Sequence, residues 1–325
     1  MYTYIHIPFC RQKCPYCKFA LTPFVQEAKI ARYITVLCQE IDLWIASRPN
    51  ETIRSIYFGG GTPSVLSPKQ LETILSRFPL SMRDVNIEIA FEANPEDITE
   101  LYVRSLKSLG VNRLSLGVQS LSDETLKAVH RSSRATIFDA FDAIERAEFG
   151  NVNADFILGL PHAKEGAVLA DIRDLHTRYP FLTHTSVYFL EKGDYPKDWK
   201  SLGISDTAMT QEYSEIVRYL EQERGFHHYE ISNFALPGYE SRHNRAYWSH
   251  QNVRGFGLSA ASYWEGRRFE NTASFAGYYR GDVVEDETLK SSEIALESAM
   301  FGLRTFSLDP SMITDAAKLD ELLAA

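Results

Sequence analysis

Six short apolar or alternating runs recur along the first part of the chain, at 3–7, 55–58, 85–91, 112–117, 152–158 and 184–190. Each is separated from the next by a stretch with helical spacing. The longest such stretch covers 27–47, where Ile30, Tyr33, Ile34, Leu37, Ile41, Trp44 and Ile45 fall on one side of a helix. Another starts at Ser67-Pro68-Lys69-Gln70, where the serine can cap, proline suits the first helical position and glutamine can reach back to the cap. Further helices are expected over 99–109, 135–148 and 164–176. Parallel neighbours need a connection long enough to return to the starting edge, and a helix supplies it. The expected fold class is therefore α/β, a parallel sheet of about six strands with crossover helices.

After residue 190 the pattern loosens. Turn formers dominate the next dozen residues, then a helical stretch over 207–223 leads to short strands near 229–233 and 260–264. Residues 1–190 are expected to form the core barrel and 191–325 an α+β C-terminal extension.

Composition excludes some functions. With 44% hydrophobic residues, 24% charged and a formal charge of -9, the chain can build a sizeable core but is poorly suited to gripping nucleic-acid phosphates. No apolar run reaches the roughly 18 residues a membrane helix needs. The N-terminus also lacks the charged and apolar regions of a secretory signal. A cytoplasmic location is expected, with peripheral membrane contact left open. Thiols stay reduced there, and three of the four cysteines crowd into one loop.

Those three, Cys10, Cys14 and Cys17, stand at C-x3-C-x2-C with no fourth nearby. Thiolates are soft ligands that select zinc, copper(I) or iron-sulfur clusters. Structural zinc wants four closed ligands, commonly from paired C-x2-C units, and the second pair is absent. Three cysteines around a 4Fe-4S cube leave one iron able to take an exogenous ligand. Cys38 lies on the apolar stripe of the first helix and reads as a small buried hydrophobe. His6 reads as a packed strand residue, and His227 with His228 as strand edge.

Polar groups collect where the expected strands end. The cysteine loop follows the first strand, Gly59, Gly60, Gly61 and Thr62 the second, Glu92 ends the third, Gln119 follows the fourth and Asp155 lies in the fifth. In a β/α barrel that rim is where a shared pocket forms. The glycines read either as a tight turn or as a place where backbone closely approaches a ligand.

The stretch YIHIPFCRQKCPYCKF at 4–19, followed by YFGGGTPS at 57–64, resembles the radical S-adenosylmethionine superfamily. Within it, the resemblance is to the branch of oxygen-independent coproporphyrinogen III oxidases and HemW-type heme chaperones. It implies a partial (β/α)6 TIM-like barrel and a 4Fe-4S cluster on Cys10, Cys14 and Cys17, with S-adenosylmethionine on the open iron and reductive cleavage to a 5'-deoxyadenosyl radical. It also implies adenosylmethionine contacts at Gly59, Gly60, Gly61, Thr62, Glu92, Gln119, Arg131, Asp155, Tyr4 and Tyr16. From the residues alone, Arg131 equally reads as a solvated helix-end charge, and each tyrosine as a packed aromatic.

Farther along, His243, Asn244, Arg245, Ala246, Tyr247 and Trp248 match the H-N-R-x-Y-W motif of the heme chaperones. Imidazole ligates iron, guanidinium pairs with propionates and aromatic faces stack on a macrocycle, so the segment suits heme. Read bare, it is a satisfied structural loop, and His250 beside it is a further imidazole able to ligate iron. The oxidases of the branch carry a further cysteine two residues after the third, where this chain has Phe19, and a longer segment before the first strand. Both differences favour a chaperone that delivers heme to acceptor hemoproteins such as respiratory enzymes, without coproporphyrinogen oxidase activity. The alternatives are the oxidase itself or a related tetrapyrrole-modifying enzyme, and a plain metal-binding or electron-transfer protein. Members of the branch generally continue into a small helical domain, which is expected to be truncated in a chain ending at Ala325.

Overall fold

A computed structural model describes residues 1–23, 26–191, 195, 199 and 204–307. The alternation is present as β1 (Tyr2–Ile7), α1 (Glu27–Ala46), β2 (Ile53–Gly60), α2 (Pro68–Leu75), β3 (Arg83–Ala93), α3 (Glu100–Ser108) and β4 (Arg113–Gln119). It continues through α4 (Asp123–Ala128), α5 (Arg134–Arg146), β5 (Val152–Leu158), α6 (Ala167–Arg178) and β6 (His184–Phe189). Every neighbouring pair from β1 to β6 is parallel. This is the six-unit α/β arrangement read from the sequence, and among the described residues the sheet stays open.

Local chemistry explains why these elements form. α1 buries Ile30, Tyr33, Ile34, Leu37, Cys38, Ile41 and Ile45 along one stripe, and each large apolar side chain withdrawn from water contributes about 1.5–3 kcal/mol. At the start of α2, Gln70 N–H donates to Ser67 Oγ at 3.3 Å and Ser67 N–H to Gln70 Oε1 at 2.8 Å. Two otherwise orphaned donors are satisfied there, with Pro68 at the first helical position.

The later residues extend the same sheet at both edges. After α7 (Asp206–Arg218), β8 (Asn233–Ala235) pairs antiparallel with β6, and β7 (His227–Glu230) pairs antiparallel with β8 at the sheet edge. The chain then passes through α8 (Arg242–Trp248) to the opposite edge, where β9 (Val253–Phe256) lies parallel to β1. There β10 (Ala261–Trp264), β11 (Arg267–Asn271) and β12 (Val283–Thr288) continue antiparallel, with α9 (Phe275–Tyr278) and α10 (Ser291–Arg304) packed beside them. The strand order is β12-β11-β10-β9-β1-β2-β3-β4-β5-β6-β8-β7. One continuous apolar core reaches from Met1 to Tyr278. Most of the turn-rich run after residue 190, and the terminal 308–325, lie outside the described residues. None of the described helices is long and apolar enough to cross a membrane.

Candidate cofactor cleft

The C-terminal ends of the first strands open onto a cleft of about 440 Å³. All three loop cysteines line it and are free thiols. The loop is closed at its base, where Phe9–Cys10 pairs with Thr22–Pro23. His6 fixes that base, with Nε2 2.7 Å from the Ala20 carbonyl and Nδ1 3.1 Å from the Tyr4 hydroxyl. Cys10 Sγ meets Thr62 Oγ1 at 3.2 Å. Burial pushes the Cys10 thiol up to about 11 and raises Cys17 as well. Burial thus favours the protonated form of Cys10 and Cys17 in the bare loop, and a soft metal must displace those protons to bind. Among the described residues, no three His, Cys, Asp or Glu side chains gather closely enough to hold a single metal ion. A looser triad of thiols, without carboxylate or imidazole among them, fits an iron-sulfur cube better than zinc.

Beside the thiols, β2 runs out into the glycine turn. The N–H groups of Gly61 and Thr62 donate to the carbonyls of Ile7 and Phe9, both at 2.8 Å, stitching this turn to the strand that carries Cys10. Gly60 has φ +109°, and a Cβ on it would stand 2.6 Å from His6 Nδ1. The backbone demands glycine here, as the tight-turn reading expects, and Gly60, Gly61 and Thr62 lie on the cleft wall. Gly59 does not itself line the cleft; a Cβ on it would meet the Tyr4 and Tyr57 rings at 3.0 Å and Glu92 Cδ at 3.2 Å.

Glu92 and Asp155 reach the cleft from β3 and β5. Burial drives Glu92 up to about 7, against a 2.7 Å hydrogen bond from the Tyr57 hydroxyl, and the Asp155 charge adds to the rise. Burial also raises Asp155, opposed by hydrogen bonds that include Ser115 Oγ at 3.0 Å and Asn153 Nδ2 at 2.7 Å. Paired carboxylates in one pocket suit a cationic or hydrogen-bond-donating ligand. Gln119 is the last residue of β4 rather than the first after it. A register irregularity and φ +68° turn its backbone there, and Oε1 is buried without a hydrogen-bond partner.

Arg131 is drawn inward rather than solvated. Its guanidinium donates to Asn94 Oδ1 at 2.8 Å and to the Gly117 carbonyl, leaving Nε buried without a partner. Tyr16 lines the cleft and packs against Val129, Ile157, Leu160 and Trp199. Tyr4 does not join them. Its ring stacks on Tyr57 at 6.1 Å, 6.4 Å from the His243 ring. Sequence reasoning passed over Asn94 and Ser115, which line the cleft, and Tyr57 and Asn153, which hydrogen-bond to Glu92 and Asp155; no motif spacing announces them.

The H-N-R-x-Y-W residues form α8, and they do not share one face. His243 is 1% exposed, its Nδ1 2.8 Å from Ser55 Oγ and its ring 4.9 Å from Tyr57 and 5.0 Å from Tyr247. Burial lowers its imidazole to about 3, and Nε2 has no hydrogen-bond partner. Asn244 faces a small polar chamber under the cleft, and Arg245 is exposed. Trp248 packs against Phe301 of α10 at 5.5 Å, with the Arg304 guanidinium 4.4 Å from its ring. His250 lies between the Tyr263 and Phe301 rings, 3.5 Å from Glu297.

An open α/β barrel with a three-thiol loop and a glycine turn at one rim defines a class. The family model of the Radical SAM superfamily matches residues 4–175, and the chain belongs to that superfamily. Its relatives narrow the branch to that of the heme chaperone HemW. The chain is 33% identical over 313 residues to HemW of Lactococcus lactis, covering 93% of this chain and 80% of that protein. With HemW of Bacillus subtilis it shares 32% identity over 320 residues, covering 93% and 82%. Among solved structures, coproporphyrinogen III oxidase (HemN) from Escherichia coli matches with a TM-score of 0.79 over 93% of this chain and 75% of that chain. At 21% identity that match establishes the shared fold.

Proposed function

We propose that this chain is a cytoplasmic heme chaperone of the HemW type, holding a 4Fe-4S cluster on Cys10, Cys14 and Cys17 and S-adenosylmethionine beside it. It would pass heme to acceptor hemoproteins such as respiratory enzymes. The observation that carries the cofactor reading is one cleft lined by three free thiols, the glycine turn, Glu92, Gln119, Arg131 and Asp155. When bound, the cluster supplies one-electron chemistry to the ligand on its open iron. The chain's own groups position that ligand. Glu92 and Asp155 accept from its amino or hydroxyl groups, the unpartnered Gln119 Oε1 offers a further acceptor, and Arg131 and Tyr16 close the wall. Tyr4 supports this layer from beneath.

For heme, α8 is the binding element, with Arg245 and Trp248 as outer contacts and Asn244 and Tyr247 facing inward. His243 would supply the imidazole ligand to the iron, its buried Nε2 being without a hydrogen-bond partner. Coproporphyrinogen oxidation remains the second reading because of the HemN fold. Against it, Phe19, which is 68% exposed at the cleft, replaces the oxidase cysteine.

Anaerobic reconstitution is expected to give about four irons per chain, lost in Cys14→Ala. Heme titration is expected to saturate near about one equivalent, with a Soret shift that His243→Ala abolishes. Vinyl-bearing product from coproporphyrinogen, dithionite and adenosylmethionine would overturn the chaperone reading.

A further inference from the structure

A line of buried hydrogen bonds reaches Asp155 from α8. Asn153 Nδ2 donates to Asp155 Oδ1 at 2.7 Å, and Asn153 Oδ1 lies 2.6 Å from His184 Nδ1. His184 Nε2 is 2.8 Å from the Tyr229 hydroxyl, whose oxygen accepts from the Ser241 N–H at 3.3 Å. Ser241 caps α8, its hydroxyl accepting from the Asn244 N–H at 3.2 Å. Asn153, His184, Tyr229 and Ser241 are all buried.

Chemistry gives each link one polarity. A carboxylate only accepts, so the Asn153 amide turns its NH2 to Asp155 and its oxygen to His184. That oxygen only accepts, so His184 carries its proton on Nδ1 and Nε2 accepts from Tyr229 O–H. Burial holds the His184 imidazole well below its usual range, which keeps this neutral tautomer in place. Beside the line lies a chamber of about 40 Å³, bordered by Asn153, Ser186, Asn233 and Asn244. It gives the amides room to turn when a link is lost.

We propose that Asn153 and His184 are positioning residues that aim Asp155 at the ligand of the cleft, and that the same relay, through Tyr229 and Ser241, couples occupancy of the cleft to the hold on α8. The ligand half rests on the reading of the cleft as an adenosylmethionine site, whereas the α8 half does not. Coupling is reciprocal, so a ligand that pins Asp155 tightens the helix carrying His243, and a loosened helix weakens the ligand.

Two variants of the full chain test this, Asn153→Ala and the milder Tyr229→Phe, which removes one oxygen outside the cleft. In ligand-free protein, amide exchange over 241–244 is expected to run about ten-fold faster in Asn153→Ala, with the α3 amides as an unchanged control. Equal rates at 241–244 overturn the relay. In cluster-reconstituted protein, calorimetric titration with S-adenosylmethionine is expected to show about ten-fold weaker binding for Asn153→Ala and about three-fold for Tyr229→Phe. A lowered melting temperature with unchanged affinity in both variants reduces these residues to structural parts and overturns the positioning role. Should the wild-type chain bind no adenosylmethionine, the cofactor reading falls and the exchange experiment alone judges the relay.

Discussion

The buried Glu92 carboxyl contributes a pH dependence to the stability of the chain. Glu92 titrates near 7 when folded, against an ordinary 4.5. Between those values the folded chain keeps a proton that the unfolded chain has released, so stability falls as pH rises. The contribution is fully present below 4.5, is lost as pH climbs to about 7 and then levels, amounting to about 3 kcal/mol. Glu92→Gln keeps a partner for the Tyr57 hydroxyl and is expected to flatten this slope, read as denaturant midpoints at about pH 5 and about pH 8. A slope unchanged in the variant would show that another group causes it. The thiol loop was legible from sequence because C-x3-C-x2-C is a local spacing. The state of Glu92 was not, because burial, Tyr57 on the adjacent β2 and Asp155 on β5 decide it from elsewhere in the sheet. Arg131 shows the same limit, since only the fold brings Asn94 and the Gly117 carbonyl to its guanidinium.

Among the elements, α1 and α8 stand at opposite ends of legibility. The 20 residues of α1 repeat an apolar stripe often enough to be recognised. α8 has 7 residues, too short to persist by propensity, and is held from outside. The Glu88 carboxylate accepts from the N–H groups of Arg242 and His243, both at 3.0 Å. Removing that acceptor in Glu88→Ala is expected to cost about 2–3 kcal/mol in chemical denaturation and to speed amide exchange over 242–248. A loss below about 0.5 kcal/mol would mean that the Ser241 cap and the α10 contact suffice. Because Glu88 lies on β3, far away in sequence, no local pattern marks α8 as a helix. The porphyrin-ready reading of its residues accordingly missed that the fold encloses His243.

At the scale of the molecule, one carboxylate ties the late strands to the first helix. Glu40 of α1 accepts from Arg254 at 2.6 Å, the Gly257 N–H at 2.9 Å, Asn271 Nδ2 at 2.9 Å and the Tyr278 hydroxyl at 2.7 Å. Glu40→Ala leaves Arg254 buried without its counter-charge, and the expected cost is about 3–5 kcal/mol. Limited proteolysis should then cut within 253–288 before it cuts β2 to β5, and the reverse order would place the weak point elsewhere. Sequence alone determined six α/β units and a thiol loop on one rim, because hydrophobic periodicity, capping residues and motif spacing are each written within a few turns of chain. Tertiary structure alone decided that β9 joins β1, that α8 is held inside against β2 and β3, and that Arg131 turns inward onto Asn94 and the Gly117 carbonyl. Those outcomes depend on strand register and on desolvation between residues far apart in the chain, and no local pattern encodes either.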